Sequence, residues 1–250
     1  TGANPSLPPR TSGRSARCAG GHRRARVSLA RGAVSVTSVA EPVNSRRLGA
    51  ELQRSLGVPT RLLTPAEARE LVPDLRVDDL LGATYCATDG TANPSDALNG
   101  YVMSARARGV EFVANAAVTA IETSAGAVRA VRTADETYTT EVVVDAAGPH
   151  VADIGLLAGV EIPAKPFRRQ VFVMATDKAV RTGLPLTVDM DTGWYFHQEA
   201  SGRLLFGGPD KDNRPGLEPT VDWDAFDKVA RAALTRAPSL AERAQVSGAY

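Results

Sequence analysis

Val142-Val143-Val144-Asp145-Ala146-Ala147-Gly148-Pro149-His150 is the stretch on which the reading of this 250-residue chain turns. Three consecutive valines have the pattern of a strand buried on both faces, as in a parallel sheet. The alternation of a half-exposed strand is absent. Ala146, Ala147 and Gly148 then make a turn with almost no side-chain bulk, and Pro149 suits the first position of a helix. In open α/β sheets ligands sit beyond the carboxyl ends of the strands, where small residues let a backbone approach closely. The same residues equally suit a tight strand-to-helix connection with no ligand, and both readings stand at this point.

Working outward, the upstream sequence predicts a short helix over 48–56 closed by Gly57. A capping box follows, with Thr64 as N-cap, Pro65 at the first helical position and Glu67 three residues on, opening a helix that ends before Pro73. Residues 81–87 have strand composition, Asp89-Gly90 turns the chain, and Asn93-Pro94 starts a helix. Leu98, Tyr101, Val102 and Ala105 form the apolar stripe of that helix, and Gly109 stops it. Short strands at 110–114, 118–123, 127–133 and 137–140 read as a meander. Downstream, strands at 167–175, 186–190, 193–198 and 203–207 precede a helix over 223–234.

Residues 1–49 hold nine of the 29 basic residues and one of the 28 acidic ones, which leaves 20 and 27 for the rest. The body is therefore mildly acidic, which argues against a nucleic-acid partner there. Residues 1–47 alternate Arg with Ser, Gly, Ala and Pro and carry little periodicity beyond a strand pattern in 32–39, so a poorly ordered basic arm is expected. Its composition resembles a transit peptide, and also a GC-rich gene read in a wrong frame. Cys18 and Cys86 lack metal-ligand spacing and are expected as free thiols. No apolar run approaches the ~18 residues of a membrane span. The expectations are no metal, no membrane and a cytoplasmic location.

The order of motifs resembles the D-amino-acid-oxidase-like FAD-dependent oxidoreductases, in the branch of glycine oxidase and the sarcosine oxidase β subunit. The run 142–150 is similar to their Ala-Gly turn, and Asp89-Gly90-Thr91-Ala92-Asn93-Pro94 to their Asp-Gly…Pro segment. Ala117-Val118-Thr119-Ala120-Ile121 resembles the strand whose valine backbone meets the adenine of FAD. Lys165-Pro166-Phe167-Arg168-Arg169-Gln170 resembles a Pro-Arg-X-Gln strand, and Trp194-Tyr195-Phe196 with Gly207-Gly208 a substrate-domain sheet. The resemblance spans about residues 50–250.

It implies an α/β and α+β fold, in which a partial, Rossmann-like FAD-binding domain of the glutathione-reductase type joins an antiparallel-sheet substrate domain. Residues 48–160 would form the first and 161–250 the second, which is discontinuous and takes in part of 48–92. The implied activity is oxidation of the C–N bond of a small amino acid or N-methyl amine to an imine, with FAD supplying the chemistry and the protein the positioning. The implied cofactor contacts are Val118, Ala146, Ala147 and Gly148. A substrate carboxylate wants a forked guanidinium, which makes Arg168 and Arg169 candidates, only one of which can face the flavin because neighbours on a strand point opposite ways. The same alternation puts Tyr195 and His197 on one face and Trp194 with Phe196 on the other. Tyr195 and His197 are candidates to orient an amine, and His150 lies beside the cofactor edge. Where some relatives carry a catalytic His after Gly207-Gly208, this chain has Pro209-Asp210; His22 sits in the arm.

One element of the pattern is missing. The sequence has no Gly-X-Gly-X-X-Gly, the loop whose N–H groups and following helix receive the FAD pyrophosphate. Losing two or three charge-assisted hydrogen bonds at roughly 1.5–3 kcal/mol each weakens cofactor binding by on the order of 3–9 kcal/mol, about two to six decades in affinity. Weak or absent FAD binding by this chain is the expectation. The alternative is a catalytically silent, truncated or frame-shifted fragment, serving as an interaction module or as half of a split enzyme with a partner subunit.

Overall fold

The computed structural model describes residues 27–28, 32–38, 40–177, 180–208 and 215–250. Most of the expected arm, with Cys18 and His22, lies outside the described residues, as does Pro209-Asp210. The chain divides into two compact units, residues 1–30 with 90–112, and residues 31–89 with 113–250.

In the first unit β1 (Val27–Ser28) pairs antiparallel with β5 (Thr91–Ala92). Asn93 caps the helix α3 (Pro94–Arg106), its Oδ1 accepting the Asp96 N–H at 3.1 Å. The helix forms where the Asn-Pro signal places it, but its expected apolar stripe is not buried: no residue of α3 is. Gly109 takes φ +84° at the helix end, a left-handed conformation that glycine adopts without a Cβ penalty.

The second unit is built on an eight-stranded mixed sheet. Its strands are β2 (Ala33–Thr37), β3 (Thr60–Leu63), β4 (Gly82–Cys86), β9 (Val171–Thr176), β10 (Leu186–Asp189), β11 (Tyr195–Gln198), β12 (Leu204–Gly207) and β13 (Ala244–Ala249), in the order β13-β9-β12-β11-β10-β2-β4-β3. Only β10 and β2 run parallel. One face buries Val34, Val36, Phe172, Trp194, Phe196 and Phe206. Against them pack α2 (Pro65–Leu71) through Ala68, α5 (Asp224–Arg236) through Ala225, Val229 and Ala233, and α6 (Pro238–Glu242) through Leu240. The Thr64 capping box forms as the sequence predicts: Thr64 Oγ1 accepts the Glu67 N–H at 3.3 Å, and Glu67 Oε2 accepts the Thr64 N–H at 2.8 Å.

Three features differ from the sequence reading. Residues 33–37 form the strand that the pattern in 32–39 offers, but they belong to the sheet rather than to a poorly ordered arm, with Val34 and Val36 fully buried. The helix α1 (Ala40–Ser55) starts eight residues before the expected 48 and closes at Gly57, whose φ is +83°. The third is the run 142–150. Residues 142–146 are not in a strand, and Val142 and Val144 are 74% and 84% exposed. A parallel strand is held only by hydrogen bonds to neighbours on either side, and among the described residues no strand lies beside this one.

The meander shrinks for the same reason. Residues 110–114 form no strand, whereas β6 (Ala120–Ser124), β7 (Ala127–Arg132) and β8 (Thr137–Thr139) pair with one another as a three-stranded antiparallel sheet. Local hairpins supply their own partners. Parallel strands need partners distant in sequence.

Candidate functional site

The eight-stranded sheet has a second face, opposite the helices. Alternation along β11 sets it up: Trp194, Phe196 and Gln198 are buried, whereas Tyr195 and His197 are half-exposed on the other side. The register builds a row across the strands, Ser35, Val188, Tyr195, Gly207 and Val171. It continues to Tyr250, which exchanges both main-chain hydrogen bonds with Val171, at 2.9 and 3.0 Å. A parallel row carries His197, Leu205 and Val173. The result is a floor made mainly of valines and a leucine, with Ser35 at one end and Tyr250 at the other, from which the Tyr195 phenol and the His197 imidazole rise.

Gly207 decides how the phenol lies. A Cβ at that position would come within 2.3 Å of the Tyr195 ring, so the ring rests directly on the glycine backbone. Burial pushes the Tyr195 phenol up, and the nearby Tyr250 adds to the effect, which leaves Tyr195 a protonated hydrogen-bond donor at neutral pH. Burial pushes His197 down against the opposing pull of Glu199, which favours the neutral imidazole. A donor and a neutral acceptor two residues apart on one strand can hold an amine by its nitrogen. Gly207→Ala is expected to displace the Tyr195 ring and to cost about 1–3 kcal/mol, read as a lower thermal midpoint with altered tyrosine emission. An unchanged melt would show that the ring has room to spare.

The arginines separate. Arg168 Nη1 donates to the Thr220 hydroxyl at 2.9 Å and to its carbonyl at 3.4 Å. Two residues on, Gln170 Oε1 accepts the Asp222 N–H at 3.3 Å and Phe172 is in the core, so this alternate set points to the helical side. The structure therefore does not bring Arg168 to the face of Tyr195 and His197. Arg169 Nη1 donates to the Arg168 carbonyl at 3.1 Å. It alternates with Arg168 and precedes Val171 of the open face by two positions. His150 is exposed, 3.5 Å from Asp153, at the start of α4 (Val151–Leu157). Cys86 is a buried free thiol beside Thr88, and no metal-binding cluster occurs among the described residues. Nor is any described helix long and apolar enough to cross a membrane. Sequence reasoning missed Tyr250 and the ring-on-glycine contact. The spacing between Tyr195 and Gly207 carries no local signal, since the pairing of β11 with β12 creates it.

The groups expected to hold FAD are present only in part. Val118 is half-buried just ahead of β6, where Thr119 N–H donates to the Arg132 carbonyl at 2.8 Å. Gly148 has φ +58° and open space where a Cβ would stand, beside Ala146 and Ala147. Yet the segment leading into that turn belongs to no sheet, and Asp145 Oδ2 is buried without a partner. With no Gly-X-Gly-X-X-Gly in the sequence, the described residues do not make a complete dinucleotide cradle.

The mixed eight-stranded sheet with helices on one face is shared with solved FAD-dependent oxidoreductases. The chain belongs to the family described as FAD dependent oxidoreductase, which it matches over residues 14–250. It is 27% identical over 232 residues to the mitochondrial sarcosine dehydrogenase of Mus musculus, covering 84% of this chain and 24% of that protein. It is 25% identical over 226 residues to the mitochondrial pyruvate dehydrogenase phosphatase regulatory subunit of Mus musculus, covering 85% of this chain and 26% of that one. The crystal structure of glycine oxidase from Geobacillus kaustophilus superposes with a TM-score of 0.75 at 21% identity, covering 90% of this chain and 59% of that one. The chain thus spans about a quarter of the length of the two curated relatives.

Proposed function

We propose that a protein containing this chain oxidises the C–N bond of a small amino acid or N-methyl amine to an imine. The Tyr195–His197 face is the wall its substrate meets. The observation that carries the reading is that Tyr195, seated on Gly207, and His197 share one half-buried, largely apolar sheet face, where burial favours the protonated phenol and the neutral imidazole. Tyr195 donates to the substrate and fixes its orientation, and neutral His197 accepts a proton from the amine nitrogen. Val171, Val173 and Leu205 exclude water around them. Similarity to a protein named for sarcosine, an N-methyl amino acid, supports the substrate class.

The test begins with the purified chain and added FAD. A retained flavin absorption band that sarcosine or glycine bleaches without oxygen supports the reading, with slower bleaching in Tyr195→Phe and His197→Gln. Retained flavin that neither amine reduces sinks the substrate class. A second reading, a catalytically silent polypeptide, is favoured by the incomplete cradle around residues 142–148, and similarity to a regulatory subunit supports it. A colourless protein that takes up no added FAD selects that reading for this chain.

A further inference from the structure

We infer that Arg203 is a positioning residue for the open sheet face: by gripping the Glu199 carboxylate in the turn between β11 and β12, it keeps that carboxylate off the His197 imidazole and leaves the ring free to accept a proton. The inference rests on the role proposed above for His197 and names a second residue on which that role depends.

The turn fixes the geometry. Gln198 pairs with Leu204 as the last rung of β11 and β12. One rung further out, the Glu199 N–H donates to the Arg203 carbonyl at 2.9 Å. Ala200, Ser201 and Gly202 close the hairpin, with Gly202 at φ +91° and its N–H donating to the Glu199 carbonyl at 3.0 Å. Three-residue hairpin loops end on a left-handed residue of this kind. Thr176 of β9 braces the turn, its Oγ1 donating to the Gly202 carbonyl at 3.2 Å. With the register set, alternation places Glu199 on the face of His197, two positions along β11, and Arg203 on that face opposite Glu199.

Glu199 therefore has two cations to choose between. Residues two apart on one strand face stand roughly 6.5 Å apart, within reach of a glutamate side chain for a protonated imidazole. Arg203 takes the carboxylate instead. Its Nε and Nη2 donate to the same oxygen, Oε2, at 2.9 and 2.8 Å, and the Ser201 hydroxyl adds a third donor at 3.3 Å. A forked guanidinium holds a carboxylate in a fixed direction, which a point charge does not. The other neighbours of His197 leave the choice to this pair. Its cross-strand partner Leu205 is apolar, as are Val173 on β9 and Leu186 on β10. Tyr195 stands two positions back with its phenol protonated, and Asp177 follows the end of β9, beyond Ala175. Glu199 is the charge that draws the ring toward its protonated form, against the burial that opposes it.

The test follows the ring protons of His197 by NMR as pH is varied, using the full chain and its variants without flavin or substrate. The chain has three histidines, and His197→Gln identifies the signal. Arg203→Met is expected to raise the His197 midpoint by about 0.5 pH unit, the effect of one charge at that separation in water-like surroundings. Released Glu199 favours the charged ring, so a smaller share of His197 is free to accept a proton at neutral pH. Glu199→Gln lowers the midpoint. Adding Arg203→Met to it then moves the midpoint by no more than about 0.2 unit, because the carboxylate through which the arginine acts is gone. Both side chains reach solvent, at 55% and 32% exposure, and far-UV circular dichroism checks that each variant keeps the fold. A midpoint unchanged or lowered in Arg203→Met overturns the inference. So does a rise of equal size in the double variant, which assigns the effect to direct repulsion between Arg203 and the ring. No flavin enters the titration, so its outcome is independent of the bleaching test: bleaching that fails beside a midpoint that shifts as expected removes the proposed reaction and keeps the arrangement of Arg203, Glu199 and His197.

Discussion

Replacing Arg236 by Met lowers the folding free energy by about 3–5 kcal/mol, the range for breaking a buried ion pair on one side. The guanidinium side chain is 3% exposed and that of its partner Asp189 1%. Arg236 Nε donates to Asp189 Oδ2 at 3.1 Å, Nη1 to Asp79 Oδ1 at 2.8 Å and to the Arg76 carbonyl at 3.0 Å, and Nη2 to Asp79 Oδ2 at 3.2 Å. One side chain at the end of α5 thus ties that helix to β10 and to the loop after α2. Among the described residues Asp189 keeps only the Asp191 N–H, at 3.0 Å, once the arginine is gone, and it stays buried with an uncompensated charge. Urea unfolding followed by the emission of Trp194 and Trp223 measures the loss. Asp189→Asn added to Arg236→Met recovers part of it, because the orphaned charge is removed. A single-variant loss under about 1 kcal/mol would show that water reaches the pair, as at a surface salt bridge.

The pH dependence has a definite sign. Hydrogen bonds from Arg236 hold the Asp79 carboxyl below its ordinary value of 3.8. The folded state then binds fewer protons than the unfolded one. The resulting stability is complete above that ordinary value and disappears as pH falls through the lowered folded one. Arg236→Met lacks this contribution, so the gap between parent and variant narrows below about pH 4.

Val36→Asp abolishes folding. Val36 is fully buried in β2, paired with Asp189 of β10 on one side and Ala83 of β4 on the other. A carboxylate there has no donor and lies beside a carboxylate that is already buried, so a loss of about 4 kcal/mol or more is expected. That is a large fraction of the roughly 5–15 kcal/mol that holds a native domain. Circular dichroism and resistance to limited proteolysis read the outcome. Leu48→Asp, on an exposed position of α1, is the control and shifts stability by no more than about 0.5 kcal/mol. A Val36→Asp chain that folds would return residues 33–37 to the dispensable arm that their surroundings suggest.

Local signals in this sequence were reliable. Thr64 and Glu67 made their reciprocal cap, Asn93-Pro94 opened a helix, and strand parity placed Trp194 and Phe196 in the core opposite Tyr195 and His197. Each depends on residues within a few positions of one another, or on the two-residue period of an extended chain. Among the elements left unread, β3, α6 and β13 are short, and their places come from pairing with β4, packing on α5 and pairing with β9. Arg236 gave no warning either, because its partners at 76, 79 and 189 lie far away in the chain.

The sequence by itself determined the family, through the order of its motifs, and the Ala146–Gly148 turn, through the absence of side-chain bulk. Tertiary structure decided which of those motifs are built. Residues 33–37 joined a sheet that supplied neighbours on both sides, whereas residues 142–146, richer in valine, found none and stayed exposed. A run of valines specifies that a strand is favourable. Only a partner at the right distance and direction supplies the hydrogen bonds that make it one.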